Sequence, residues 1–194
     1  MCKVIFILLI MVPWSLMAQV KGIQYQENRS WPQVLKTAST AEKYLFVDCY
    51  ATWCGPCRYM DDSILSQLEV ADYMNHHFIN VKVQMDTPKN LIKNVNDQNN
   101  YAIEIKRKFE VTSYPTYLFL NPSGELVYKT IGVFDAPSFL AKAQKALDSD
   151  EQYFFLLEEY NRGHQGVLFL RQLMNAAKRA GDEEMAERIR KVNR

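Results

Sequence analysis

The sequence predicts an α/β fold, a mixed β-sheet flanked by helices and followed by a C-terminal helical extension. Three observations carry that expectation. A nearly continuous apolar run at 44–51 leads straight into Cys54-Gly55-Pro56-Cys57 and then into helical periodicity. Two later apolar segments flank the turn Asn121-Pro122-Ser123-Gly124, and beyond Asp148-Ser149-Asp150 the pattern is helical throughout. With 194 residues, 48% of them hydrophobic, the chain can bury one good core and a small appendage, whereas two full domains would be crowded.

Each element has its own signal. Residues 28–41 carry Trp31, Val34, Leu35 and Ala38 at helical spacing behind Ser30 as a cap, so a first helix ends before Glu42 and Lys43. The run at 44–51 is aromatic and β-branched on both faces, the pattern of a central strand. Residues 58–66 and 70–76 read as helix, with Asp61 and Asp62 on the exposed side and His76 and His77 at its end. The strand at 78–85 follows, and two strands joined through a helix lie parallel with a right-handed crossover.

Residues 87–100 are polar and rich in Asn, the composition of a loop or a loosely packed insertion. Helical character returns at 101–109, then strands at 116–120 and 126–131 form an antiparallel hairpin. Pro137 opens a helix through Phe139, Leu140, Ala143 and Leu147. The extension places Tyr153, Phe154, Leu157 and Tyr160, then Leu170, Leu173, Met174 and Ala177, then Met185, Ala186 and Ile189 on apolar faces, with Gly163 and Gly181 as helix stops.

The N-terminus differs from the rest. Lys3 precedes an apolar run at 4–12, Pro13 interrupts it, and Leu16-Met17-Ala18 precedes polar Gln19. This is the layout of a secretory signal peptide at 1–18, too short to span a bilayer comfortably, so an exported, periplasmic protein is expected, with one domain at 19–149 and the extension at 150–194. Export removes Cys2 and leaves Cys49, Cys54 and Cys57, an odd count that fits one working pair plus a buried bystander, Cys49, rather than a disulfide framework. The formal charge is +1, with no basic run set among aromatics, which argues against a nucleic-acid partner.

A Cys-x-x-Cys pair at a helix start has a physical purpose. Unpaired N–H groups and the helix dipole stabilise a thiolate on the first cysteine, lowering its pKa from about 8.5 toward roughly 7. Cys54 is therefore expected to attack a disulfide and Cys57, one turn later, to resolve the mixed disulfide. Gly55 leaves room for a backbone to approach, and Pro56 restricts the loop. A closed zinc site needs two further suitably spaced ligands, and the sequence offers none, so neither a metal nor another cofactor is expected.

The segment from Val47 to Arg58, with Trp53-Cys54-Gly55-Pro56-Cys57 at its centre, resembles the active-site segment of the thioredoxin-like family, and the resemblance extends over 44–147 in element order. It implies a thioredoxin-like mixed sheet, a buried carboxylate at Asp48, a lysine partner at Lys82 and a cis-proline at Tyr114-Pro115; Gly124 and Gly132 also fall on family positions. The stretch 57–74 is more similar to the periplasmic domains that end the transmembrane thiol:disulfide interchange reductases than to cytosolic thioredoxin.

Asp48 in an apolar strand has reason to carry a raised pKa and to take the Cys57 proton, and Lys82 to hold its charged form. Trp53, Gly55, Pro56, Tyr114 and Pro115 are expected to receive an extended substrate segment. The resemblance implies protein disulfides as substrates and a membrane thiol as electron donor, and a reductase as the activity. An oxidase or isomerase, or a binding module or chaperone with an incidental dithiol, remains open, as does the oligomeric state.

Overall fold

The computed structural model describes residues 22–27, 29–86 and 101–192. The expected signal segment and the Asn-rich stretch 87–100 lie outside the described residues. Helix α1 (Trp31–Ala41) starts where Ser30 donates its N–H to Gln33 Oε1 at 2.9 Å, with Pro32 in the first turn. It buries Trp31, Val34 and Ala38. Strand β1 (Tyr44–Tyr50) leads to α2 (Gly55–Tyr59), a π-helical turn (Met60–Leu65) and α3 (Leu68–His77), which returns the chain to β2 (Phe78–Gln84). After α4 (Ala102–Lys108), β3 (Thr116–Leu120) and β4 (Leu126–Ile131) form the hairpin and α5 (Ala136–Lys145) follows.

The sheet order is β2-β1-β3-β4, with β1 parallel to β2 and antiparallel to β3. The mixed sheet of the sequence expectation is thus present, with strand ends within one residue of it. Side chains alternate along each strand, so β1 serves two cores. Leu45, Val47 and Cys49 join Val81, Val83, Leu118 and Leu120 beneath α1 and α4. Phe46 faces the other way, 5.4 Å from Phe119 and 5.7 Å from Phe139 of α5, in a core shared with the π-helical turn and α3. Asp48 lies on this second side.

The hairpin turn is built by Asn121, whose side-chain oxygen accepts the N–H groups of Ser123 and Glu125 at 3.0 Å. Gly124 is favoured there by its φ of +78°, and a Cβ would also press on the Leu35 side chain of α1, 2.6 Å away. Ahead of α1, residues 22–27 run along the outer edge of β2. Tyr25 bridges Asn80 in parallel, Gln26 N–H donates to Asn80 O at 2.8 Å, and Gln24 N–H donates to Asn75 Oδ1 at 2.8 Å.

The extension forms α6 (Ser149–Asn161), α7 (Val167–Arg179) and α8 (Glu183–Val192), with a core of its own around Tyr153, Leu156, Leu170, Leu173 and Ile189. Asp148 caps α6 through the N–H groups of Asp150 and Glu151, and Asp182 accepts the Met185 N–H and the Tyr153 hydroxyl. One expectation is corrected: Phe154 is 59% exposed, and Leu156 takes the buried place. Helix α6 has to satisfy two neighbours, Tyr153 and Leu156 facing α7 and α8 while Gln152 and Phe155 face the sheet domain, which turns Phe154 outward. Phe155 packs on Tyr128 of β4 at 5.5 Å, and buried Gln152 donates to Tyr44 Oη and Ala146 O.

Candidate active site

The dithiol sits where β1 passes into α2. Cys54 is the N-cap of that helix, and the Cys57 N–H donates to Cys54 Sγ at 3.1 Å. The two sulfurs are joined in a disulfide. Pro56 occupies the first turn, where a missing N–H costs no helical bond. Because the cap begins the helix at Gly55, it starts three residues earlier than its periodicity suggests. The approach to the motif is held from below: Cys54 N–H donates to Ala51 O, and Thr52 gives both its N–H (3.0 Å) and its hydroxyl (2.5 Å) to Asp86 Oδ2. These bonds hold Asp86 below the ordinary carboxylate range against the opposing effect of burial.

Both sulfurs are buried, but their surroundings are open on one side. Trp53 is 69% exposed and meets the Tyr114 ring edge-on at 5.9 Å, with Tyr59 exposed nearby in sequence. Tyr114 packs against the cluster of Ala51, Cys54 and Cys57, and the Tyr114–Pro115 bond is cis, as the sequence reading expects. Pro115 O accepts the Gly132 N–H at 3.0 Å, and Lys106 donates to Tyr114 Oη at 3.1 Å. Gly55 and Pro56 are exposed between these groups.

On the sheet whose strand β1 leads into the dithiol, three polar side chains lie abreast. The register sets Asp48 opposite Lys82 on β2 and opposite Tyr117 on β3, all on the side of α2 and α5. Asp48 is 2% exposed. Lys82 Nζ reaches Asp48 Oδ2 at 3.4 Å and also hydrogen-bonds Asp61 of the π-helical turn. It stands 5.4 Å from the centre of the Tyr25 ring and 5.0 Å from that of Tyr50.

Burial raises the Asp48 pKa to about 6, Lys82 opposing the rise and the Asp61 charge adding to it. Burial alone would lower Lys82, yet its two carboxylates carry it above the ordinary lysine value. A buried carboxyl group whose pKa is raised to about 6 is suited to accept and return one proton.

The structure brings together Cys54, Cys57, Trp53, Gly55, Pro56, Tyr114 and Pro115 at one end of the sheet, and pairs Asp48, on the strand that leads into them, with Lys82. Cys49 is the bystander, fully buried on the opposite face with its thiol pushed well up by burial and then by Asp48. Asp61 is corrected: it is not simply a solvated helix residue, because it holds Lys82. The signal was present, since position 61 is one helical turn beyond buried Cys57 and therefore on its face. Three more participants went unread. Tyr117 becomes visible only with the register of β3, Asp86 only with the strand end, and Tyr25 lies in a segment with no periodic signal.

The comparisons with known proteins agree with this geometry. The profile of the thioredoxin-like domain family matches residues 31–147. Mitochondrial thioredoxin-3 of Saccharomyces cerevisiae is 31% identical over 136 residues, 66% of this chain and 89% of that protein. The thiol:disulfide interchange protein DsbD of Yersinia pestis is 27% identical over 130 residues, which are 64% of this chain but 20% of DsbD. A Bacteroides thetaiotaomicron protein of known solution structure, provisionally named a disulphide-isomerase, is 40% identical with a TM-score of 0.55, covering 68% of this chain and 98% of that one. On the matched profile, the sheet and the capped cysteine pair, the chain belongs to the thioredoxin-like domain family and is a thiol:disulfide oxidoreductase.

Proposed function

We propose that the chain is an exported protein-disulfide reductase, working in the periplasm of a bacterium with an outer membrane. The observation that carries the chemistry is Cys54 at the cap of α2 with the Cys57 N–H on its sulfur, at the end of the strand that carries the buried Asp48 carboxylate. In the reduced protein that N–H and the helix start favour a Cys54 thiolate. Cys54 attacks the substrate disulfide, forming a mixed disulfide and releasing one substrate thiolate. Cys57 then gives its proton to Asp48, attacks Cys54 Sγ, and displaces the second substrate sulfur as a thiolate that takes a proton from solvent. Lys82 limits how far the Asp48 pKa climbs. Trp53, Gly55, Pro56, Tyr114 and Pro115 receive the substrate chain beside the pair.

The Gly-Pro dipeptide, similar to that of reducing family members, supports the direction. The likeness to a part of DsbD supports a membrane thiol as the donor that reopens the Cys54–Cys57 disulfide. Lys3 and the apolar run behind it support export, with 19–149 as the catalytic domain and 150–194 as its helical extension. The test is the equilibrium potential of the pair against glutathione. A value near −270 mV, roughly that of thioredoxin, fits a reductase, whereas one near −120 mV, about that of the strong oxidant DsbA, overturns the direction.

A further inference from the structure

Among the described residues, the titratable groups around Asp48 come from several elements: Lys82 from β2, Tyr117 from β3, Asp61 from the π-helical turn, Tyr25 from the segment along the edge of β2 and Tyr50 from its own strand, with Cys49 beside it in sequence but on the opposite face. Lys82 is shared between two carboxylates. The two inner phenols are in a different position. Tyr117 is fully buried and the Tyr25 hydroxyl is buried, yet neither hydroxyl has a hydrogen-bond partner among the described residues.

Buried hydroxyls are as a rule hydrogen-bonded, so two inner phenols with no partner among the described residues and carboxylates close by have those carboxylates as their natural acceptors, directly or through water. Both are next to the carboxylates, whose charge, added to burial, raises both phenol pKa values and keeps the protons on oxygen. Each phenol is therefore a donor in reserve. In the proposed reaction, Asp48 is the enclosed group among them that changes from an anion to a neutral acid and back.

We propose that Tyr117, seconded by Tyr25, is a positioning residue for the proton step, its O–H being the donor that holds the Asp48 carboxylate whenever that group carries charge, directly or through one bridging water. The inference rests on the role proposed above for Asp48. The Cys57 S–H bond breaks, its proton passing to an Asp48 oxygen and its electron pair forming the new S–S bond to Cys54, while the Cys54–substrate disulfide bond breaks and its electron pair leaves on the substrate sulfur. The phenols keep their own protons throughout. They set how readily Asp48 is the anion before this step, and so the pH at which the step becomes available.

The experiment follows the reduction of a model protein disulfide, insulin, from pH 5 to 8, together with the 13C titration of the Asp48 carboxyl, in wild type, Tyr117→Phe, Tyr25→Phe, Asp48→Asn and Tyr101→Phe. Loss of a donor to a charged carboxylate raises its pKa. Tyr117→Phe is thus expected to move the acid limb and the carboxyl midpoint upward by roughly one pH unit, with Tyr25→Phe moving them less in the same direction. Tyr101, on the opposite face of the sheet, is expected to move neither.

A Tyr117→Phe limb and midpoint that superimpose on wild type, while Asp48→Asn loses the limb, overturn the inference and leave Asp48 as the proton acceptor. An Asp48→Asn profile that keeps the wild-type limb overturns the role of Asp48 itself, and this inference with it. Should Tyr117→Phe not fold, Tyr25→Phe carries the decision, and an unmoved midpoint there counts against the proposal.

Discussion

The two faces of the sheet at adjacent residues 48 and 49 make the same covalent backbone do opposite things. Cys49 looks into a core that includes Val47, Val81, Val83 and Leu118, and burial, then the Asp48 charge, pushes its thiol up. Asp48 looks the other way, toward Lys82 and Tyr117, and burial raises its pKa to about 6. Burial is common to both. What separates a structural thiol from a reactive site is the set of donors and acceptors that burial brings along.

The largest contrast is between two cysteine variants. Cys54→Ser is expected to lower disulfide reduction to the level of buffer, while Cys49→Ala changes turnover by less than about twofold and costs on the order of 1 kcal/mol of stability. An active Cys54→Ser protein would erase the distinction between the faces.

Next comes Asp48→Asn, expected to slow turnover at pH 7 by roughly 10²-fold. It also carries a signed effect on stability. The folded Asp48 pKa of about 6 lies above the ordinary 3.8, so the folded state binds more protons between those values. Wild-type stability therefore falls as pH rises from about 4 to 6, by on the order of 3 kcal/mol, and stays lower above. Asn lacks that charge. The variant should melt above wild type at pH 8, with the gap closing toward pH 4; a gap that does not depend on pH would remove Asp48 from the account.

The smallest effect belongs to the far side of β4. Gln152→Ala leaves Tyr44 and the Ala146 carbonyl without their shared donor. Urea unfolding is expected to register a loss of about 1–2 kcal/mol with the pH profile of thiol exchange unchanged, which sharpens the separation between the extension and the site.

The sequence made the strands legible because both faces of β1 are apolar apart from one residue, and that residue is Asp48. The Asp48–Lys82 pair was legible only through the family resemblance, and the structure supplies its physical reason: the parallel strands start in register at Tyr44 and Phe78, which sets residue 48 opposite residue 82. Asp61 was misread because two adjacent aspartates look like a solvated face, whereas the face that Cys57 defines takes one of them inward. Tyr117 looked like one more apolar strand residue, and its hydroxyl acquires meaning only when β3 lies beside β1. Phe154 was misplaced because a helix with two neighbours buries two stripes and exposes the residue between them.

Trapping decides whether this division of labour is real. A Cys57→Ser chain, expressed with its N-terminal segment, leaves Cys54 to attack with nothing to release it, so partner proteins should accumulate in mixed disulfides mapped to Cys54 alone, and a Cys49→Ala background should not change them. Adducts mapped to Cys49, or no trapped partners, would contradict the assignment of exchange to the Cys54 face.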